Sequence, residues 1–307
     1  MMGSNMKHKA TAPKIEVAHD APMLVGECPV WHEVESALYW VDINGLTVNR
    51  LHPASGKFSS WKMGSEPSAL AVDEDNNLVV ATRAGFVRVN TTSGEVTDFC
   101  PAPYDTAITR FNDGRVDPAG RFWVGTMYEP RDKPAAEMYV LERDVLRRAW
   151  SGGMTNSNGL AWTPDGSSMF HADTTSHRID RYDFDVATGT VANGRTLASF
   201  SMDKSAAGYG GRPDGAAVDS EGNYWVAMFE GGRLLKLSPD GEPLREIPLP
   251  LRCPTAVAFG GADLRTLYVT SASHGRSEAE LAQYPLSGKV LCMRVDVPGL
   301  AQPEYRR

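Results

Sequence analysis

Four cysteines, Cys28, Cys100, Cys253 and Cys292, are scattered through the 307 residues, and no two of them stand in C-x-x-C spacing. That excludes a zinc knuckle or a dithiol redox motif, and reduced, buried thiols are expected. No stretch is long and apolar enough to span a bilayer, and residues 1–13 have basic side chains without an apolar core for a secretory signal. A soluble cytoplasmic protein with a flexible tail over 1–13 follows as the expectation. The net charge of −7 comes without a Lys/Arg stripe, which argues against nucleic acid or an anionic membrane as partner. Long helical periodicity is missing too, so a helical bundle is excluded.

What is present is a hydrophobic fraction of 42% interrupted throughout by 29 glycines and 20 prolines, a composition of short strands and many turns. The stretch Phe111-Asn112-Asp113-Gly114-Arg115-Val116-Asp117-Pro118-Ala119-Gly120-Arg121-Phe122-Trp123 returns in altered form along the chain. Asn158 stands about eight residues before the turn glycine Gly166, as Asn112 stands before Gly120, and Asp214 holds the same place before Gly222. Weaker copies put Ser68 and Thr255 there, and aligning Trp31 with Val218 puts Glu27 opposite Asp214.

Each copy leads through a turn into an apolar or aromatic run, at 37–41, 78–82, 121–125, 168–172, 223–227 and 266–270, which reads as a buried strand. Alternating segments follow at 46–51, 85–89, 137–141, 178–184 and 232–237, then Gly-containing hairpin turns and short polar strands. The unit is a small antiparallel sheet of about four strands, recurring about six times. Such sheets bury both faces only against one another, so the fold expected is all-β, a six-bladed β-propeller occupying 14–307 as one domain. A linear stack is the alternative, but it requires capping repeats that the sequence does not show. Pairing of 14–18 with 289–295 would close the ring.

Side chains at equivalent places in a propeller converge around one axis. The ring reads Glu27, Ser68, Asn112, Asn158, Asp214 and Thr255: oxygen donors with two negative charges and no His or Cys. Such a set suits one hard divalent cation, Ca²⁺ foremost, with Mg²⁺ and Mn²⁺ close to it and Zn²⁺ or Fe²⁺ as alternatives. The competing reading is that Asn-Gly and Asp-Gly are ordinary turn dipeptides.

At Gly26-Glu27-Cys28-Pro29-Val30-Trp31, Arg110-Phe111-Asn112-Asp113-Gly114, Gly125-Thr126-Met127, Ser157-Asn158-Gly159-Leu160 and Pro213-Asp214-Gly215 the sequence resembles the senescence marker protein/gluconolactonase/regucalcin-like family. The resemblance spans nearly the whole chain after Ile15. It implies a six-bladed propeller that hydrolyses a sugar lactone with a divalent metal. Glu27, Asn158 and Asp214 would bind the metal, and Asp214 would also be the candidate general base. Arg110 and Asn112 would contact the substrate. The family's further substrate-contacting Glu falls at Pro130 here, so Glu129, one residue earlier, is its nearest counterpart.

The small-molecule partner expected is therefore a sugar lactone, bound by a monomer or small homo-oligomer. The rival activities are hydrolysis of other esters or phosphotriesters and a non-catalytic, metal-binding regulatory role. Asp42 and Asp173, ending inner strands, read as strand caps with a ligand hydrogen bond as the alternative, His171 as a satisfied core histidine, and the connections 128–136 and 202–212 equally as a substrate-selecting rim or as plain flexible loops.

Overall fold

Turn glycines and apolar runs recur because each builds the same sheet, and a computed structural model describing residues 13–307 shows six four-stranded antiparallel sheets. They are the blades of a six-bladed β-propeller. The innermost strands are Gly26–His32, Pro67–Val72, Thr109–Val116, Ser157–Trp162, Arg212–Val218 and Pro254–Gly260, in blades one to six. The second strands, such as Ala37–Asp42, Phe122–Tyr128 and Ser168–Asp173, are buried along their whole length. Outermost strands such as Lys57–Lys62 and Val96–Pro101 are mostly exposed, as their polar sequences require. The tail expected over 1–13 lies, apart from Pro13, outside the described residues.

One side-chain device explains the repeating Asp-x-x-Gly-x-x-Trp spelling. In blade three Asp117 accepts from Ala119 N at 2.8 Å and Arg121 N at 3.1 Å, closing the turn after the inner strand, while its second oxygen accepts from Trp123 Nε1 at 2.8 Å. Asp219 repeats this in blade five with Glu221 N, Asn223 N and Trp225 Nε1, the last at 2.9 Å. The tryptophan thereby enters the core with its N–H satisfied. Trp123 and Trp225 are both almost wholly buried, and each ring contributes roughly 4–6 kcal/mol of gross hydrophobic stabilisation before entropy is counted.

The ring closes as expected. Strand Ile15–His19 pairs with Val290–Arg294, in register Ile15 to Met293, as the outermost strand of blade six. A second tie was not expected. After blade six the chain crosses the underside of the ring: Gly299 N donates to Leu264 O, Ser220 N to Pro298 O, Tyr305 N to Val72 O and Arg306 N to Gly120 O. Tyr305 is fully buried and its hydroxyl donates to Asp144 Oδ1 at 3.0 Å.

One expectation needs correction. Asp42 and Asp173 end second strands, not innermost ones. The described chain also contains a helix, Glu278–Gln283, capped by Ser277, too short to show periodicity. No helix among the described residues is long and apolar enough to cross a membrane.

Candidate metal and active site

Every innermost strand breaks its ladder with a bulge or register shift at the ring position: Glu27/Val30, Pro67/Ala69, Phe111/Gly114, Asn158/Ala161, Pro213/Ala216 and Pro254/Val257. A bulge re-aims a side chain that regular pleating would send into the neighbouring blade. The following residue is glycine in two key copies for steric reasons. Gly159 has φ +64, and a Cβ there would meet Tyr224 Oη at 2.2 Å, while one on Gly215 would meet Ala256 Cβ at 2.4 Å.

These bulges bring Glu27, Arg110, Asn112, Asn158 and Asp214 to one cavity of about 310 Å³ at one end of the channel, with Thr255 also on its wall. Ser68 does not join them. Its hydroxyl turns back to donate to Ala81 O at 3.2 Å, beside a register shift between Pro67 and Ala69, and it is absent from the cavity lining. The Thr255 hydroxyl is held by Gly26 O at 2.5 Å and Thr270 Oγ1 at 2.8 Å.

The polar groups form a directed chain. Arg110 Nη1 donates to Asn112 Oδ1 at 2.7 Å, Asn112 Nδ2 to Asn158 Oδ1 at 2.9 Å, Asn158 Nδ2 to Thr174 Oγ1 at 2.6 Å, and Thr174 Oγ1 to Pro213 O at 2.7 Å. A guanidinium can only donate and a carbonyl can only accept, so the two ends fix the orientation of both amides. Asn158 Oδ1 is thereby kept as an acceptor with a lone pair to spare.

Glu27 and Asp214 are nearly wholly buried, at 7% and 5% exposure, yet among the described residues neither has a basic side chain within ion-pair distance. Burial first, then the charge of Asp214, pushes the Glu27 carboxyl well above its ordinary range; burial first, then Asp113, does the same to Asp214. Asp113, buried beside them, accepts from Gly114 N at 2.9 Å and Leu160 N at 3.2 Å. Two buried acids without a counter-charge, next to a lone-pair-bearing amide oxygen, fit a divalent cation. Among the described residues no group of three or more His, Cys, Asp or Glu is placed to hold a metal, so a cation at these two acids would need a donor of another kind, such as that amide oxygen. The Cys28 thiol faces Gly114 O at 3.4 Å and Leu70 O at 3.8 Å, and burial pushes it up to about 12.

Glu129 lies on the cavity wall in a bidentate pair with Arg83, at 2.8 and 2.9 Å, and 3.8 Å from Arg110 Nε. Hydrogen bonds from Arg83 hold its carboxyl below the ordinary range. Of the two expected rim connections, Glu129 and Arg131 of the first and only Arg212 of the second line the cavity. Asp42 caps Leu24 N, Val25 N and Gly45 N, and Asp173 caps Thr155 N and Asn156 N. Buried His171 bonds Ser157 Oγ at 2.9 Å, and desolvation pushes it down to about 4.

Sequence reasoning missed Arg83 and Thr174. Both occupy the position after a second strand, and so do Ile43, Glu129 and Ala272, all of which line the cavity. Each anchors its backbone N–H to the segment entering the inner strand, as Arg83 N does to Glu66 O and Thr174 N to Asn156 O. The same repeat that aligned the first ring thus defines a second.

Fold and site together define a six-bladed propeller with an oxygen-donor pocket at one mouth of its channel. Residues 25–273 match the SMP-30/Gluconolactonase/LRE-like region, and the chain belongs to that family. It is 44% identical over 284 residues to a 6-deoxy-6-sulfogluconolactonase of Pseudomonas putida, covering 92% of this chain and 96% of the relative. It is 34% identical over 283 residues to regucalcin of Gallus gallus, covering 90% and 93%. The crystal structure of a calcium-binding protein, regucalcin, from Agrobacterium tumefaciens superposes with a TM-score of 0.89 at 26% identity, covering 97% and 98%.

Proposed function

We propose that this protein hydrolyses a sugar lactone, an aldonolactone with a five- or six-membered ring, to the aldonic acid, using one divalent cation held by Glu27, Asn158 and Asp214. The observation that carries the reading is the pair of buried, uncompensated carboxylates meeting an oriented amide oxygen in one cavity, in a chain of this family. The lactonase and calcium-binding names of the relatives agree with it. Calcium suits an all-oxygen set with a neutral amide.

When bound, the ion supplies Lewis-acid polarisation of a carbonyl oxygen. The protein's own groups do the rest. Arg110, fixed by its bonds to Asn112 and the Phe111 carbonyl, presents donors to the ring oxygen or a hydroxyl of the sugar. Asn112 holds Asn158 in place and faces the same substrate, and Glu129, positioned by Arg83, accepts from a sugar hydroxyl. Asp214 takes a proton from the attacking water. The water oxygen bonds the carbonyl carbon, the bond from that carbon to the ring oxygen breaks, and the ring oxygen takes the proton back from Asp214 to become a hydroxyl. Asp214 can serve as base only while ionised, a state that burial opposes and that a bound cation would favour.

Purified protein, stripped with chelator and reloaded with single metals, is assayed against a panel of aldonolactones, simple esters and phosphotriesters. Turnover of at least one aldonolactone that depends on added ion is expected. Rates equal to buffer on every lactone would remove the lactonase reading, and turnover confined to the other esters would replace it.

A further inference from the structure

At the mouth opposite the oxygen-donor site, the inner strands end around a second cavity of about 230 Å³. Val116, Trp162 and Val218, the last residues of those strands in blades three, four and five, line it with Ala217, Phe259 and Leu300. No Asp or Glu stands on this wall. Its charged group is Arg115, which reaches from blade three to blade five and donates from Nη2 to Ala216 O at 2.7 Å. That is its one hydrogen bond among the described residues; its buried Nε has no partner, and no carboxylate lies within ion-pair distance. Its charge offsets part of the burial penalty on Asp113 without the two groups being in contact. Glu33 and Glu304 stand around a smaller cavity of about 80 Å³ that Arg115 also borders, and neither is close enough to pair with it.

A second donor on the same wall lacks an acceptor. Trp123 and Trp225 each give their indole N–H to an aspartate, whereas Trp162, 5% exposed, has an unpartnered Nε1. The adjacent Thr163 hydroxyl is already committed to Asp165 Oδ1 at 2.6 Å and Ser168 N at 3.0 Å. Buried donors left without acceptors are costly, and a guanidinium and an indole can only donate. A ligand that fits must bring acceptors, best with a negative charge, on a compact apolar body. Cavities of about 150 Å³ hold benzene, so this one accommodates a single aromatic ring with a short acidic arm. We propose that it is a second ligand site that takes a small aromatic monocarboxylate, with Arg115 and Trp162 donating to the carboxylate and Val116, Val218, Phe259 and Leu300 enclosing the ring. The outer wall can yield to admit it, since residues 300–304 make no backbone hydrogen bond between the anchors at Gly299 and Tyr305. Binding there is independent of the lactonase reading.

Calorimetry with phenylacetate and its neutral amide, phenylacetamide, tests the site in wild type, Arg115→Met, Trp162→Phe, Leu300→Trp and Arg110→Gln, each checked for folding by circular dichroism. Wild type is expected to bind the acid at least about tenfold more tightly than the amide. Arg115→Met should abolish that preference, Trp162→Phe should weaken the acid by roughly three- to tenfold, and Leu300→Trp, which fills the cavity, should weaken both ligands. Arg110→Gln should change nothing, because Arg110 lies at the other mouth. Should Arg115→Met not fold, the other two underside variants decide, and unchanged affinity in both overturns the proposal. So does a wild type that ignores phenylacetate or binds acid and amide equally. Loss of binding in Arg110→Gln but not in Arg115→Met would put the acid in the upper mouth and overturn it too.

Discussion

Glu27 and Asp214 place two negative charges in a buried site, and the pH dependence of stability follows from that. Without an ion, both carboxyls titrate well above their ordinary values of 4.5 and 3.8, chiefly through burial. The folded protein then holds protons that the unfolded chain has already released. This contribution to stability is present below the ordinary values and is lost as pH rises through the raised folded ones. Chelator-treated Asp214→Asn is therefore expected to melt higher than chelator-treated wild type at neutral pH, by about 2–4 °C for each kcal/mol of relieved repulsion. It should also lose the upward shift that calcium gives the wild type. Circular dichroism melts with and without ion check both, and a lower-melting variant that keeps the calcium shift would contradict the ligand assignment. Thr174 acts one step back, as a positioning residue. Thr174→Val keeps the shape but strands Asn158 Nδ2, and ion affinity by titration should fall roughly tenfold, with Thr174→Ser restoring it. The identities at the first ring were legible because Asn112, Asn158 and Asp214 share a spacing to the turn glycine. The polarity of the amides was not, since it is fixed by Arg110 and the Pro213 carbonyl, which lie far apart in the chain.

At the scale of the strand, the repeat was readable because each spelling has a local cause. Asp117 closes its turn through backbone N–H groups two and four residues on, and that produces a fixed interval to Gly120 and Trp123. The register shifts in the six inner strands left no comparable mark. A bulge depends on what the neighbouring blade presents, as Tyr224 does to Gly159, and so Ser68 aligned with the ring yet faces Ala81 O. The same local cause makes a stability prediction. Asp117→Ala removes the partner of the buried Arg121, at 4% exposure, and the acceptor for Trp123 Nε1. Losing one member of a buried pair costs about 3–5 kcal/mol. Urea unfolding should show a loss of that size. A cost below about 1 kcal/mol would mean that the turn and the tryptophan are held by packing alone.

Two ties hold the whole ring, and they differ in what they protect. Strand Ile15–His19 completes blade six and covers the edge of Val290–Arg294, whereas the C-terminal segment laces blades six, five, two and three from below through Gly299, Ser220, Tyr305 and Arg306. The strand pairing was legible as a spare strand with an unpaired counterpart; the lacing was not, because its hydrogen bonds join irregular chain to turns and leave no periodicity. Removing residues 1–19 leaves a sheet edge exposed, which is a template for pairing with another chain. That variant is expected to self-associate in a concentration-dependent way, seen by light scattering. Tyr305→Ala leaves Ile15–His19 paired in blade six but empties a buried aromatic site and removes the tyrosine's hydrogen bonds with Asp144. It should remain unassociated while losing about 3–5 kcal/mol in urea unfolding. The cavity lies at the opposite mouth of the channel from this lacing, so kcat per folded Tyr305→Ala molecule should match the wild type. A fall in kcat beyond the folded fraction would show that the underside is coupled to the site.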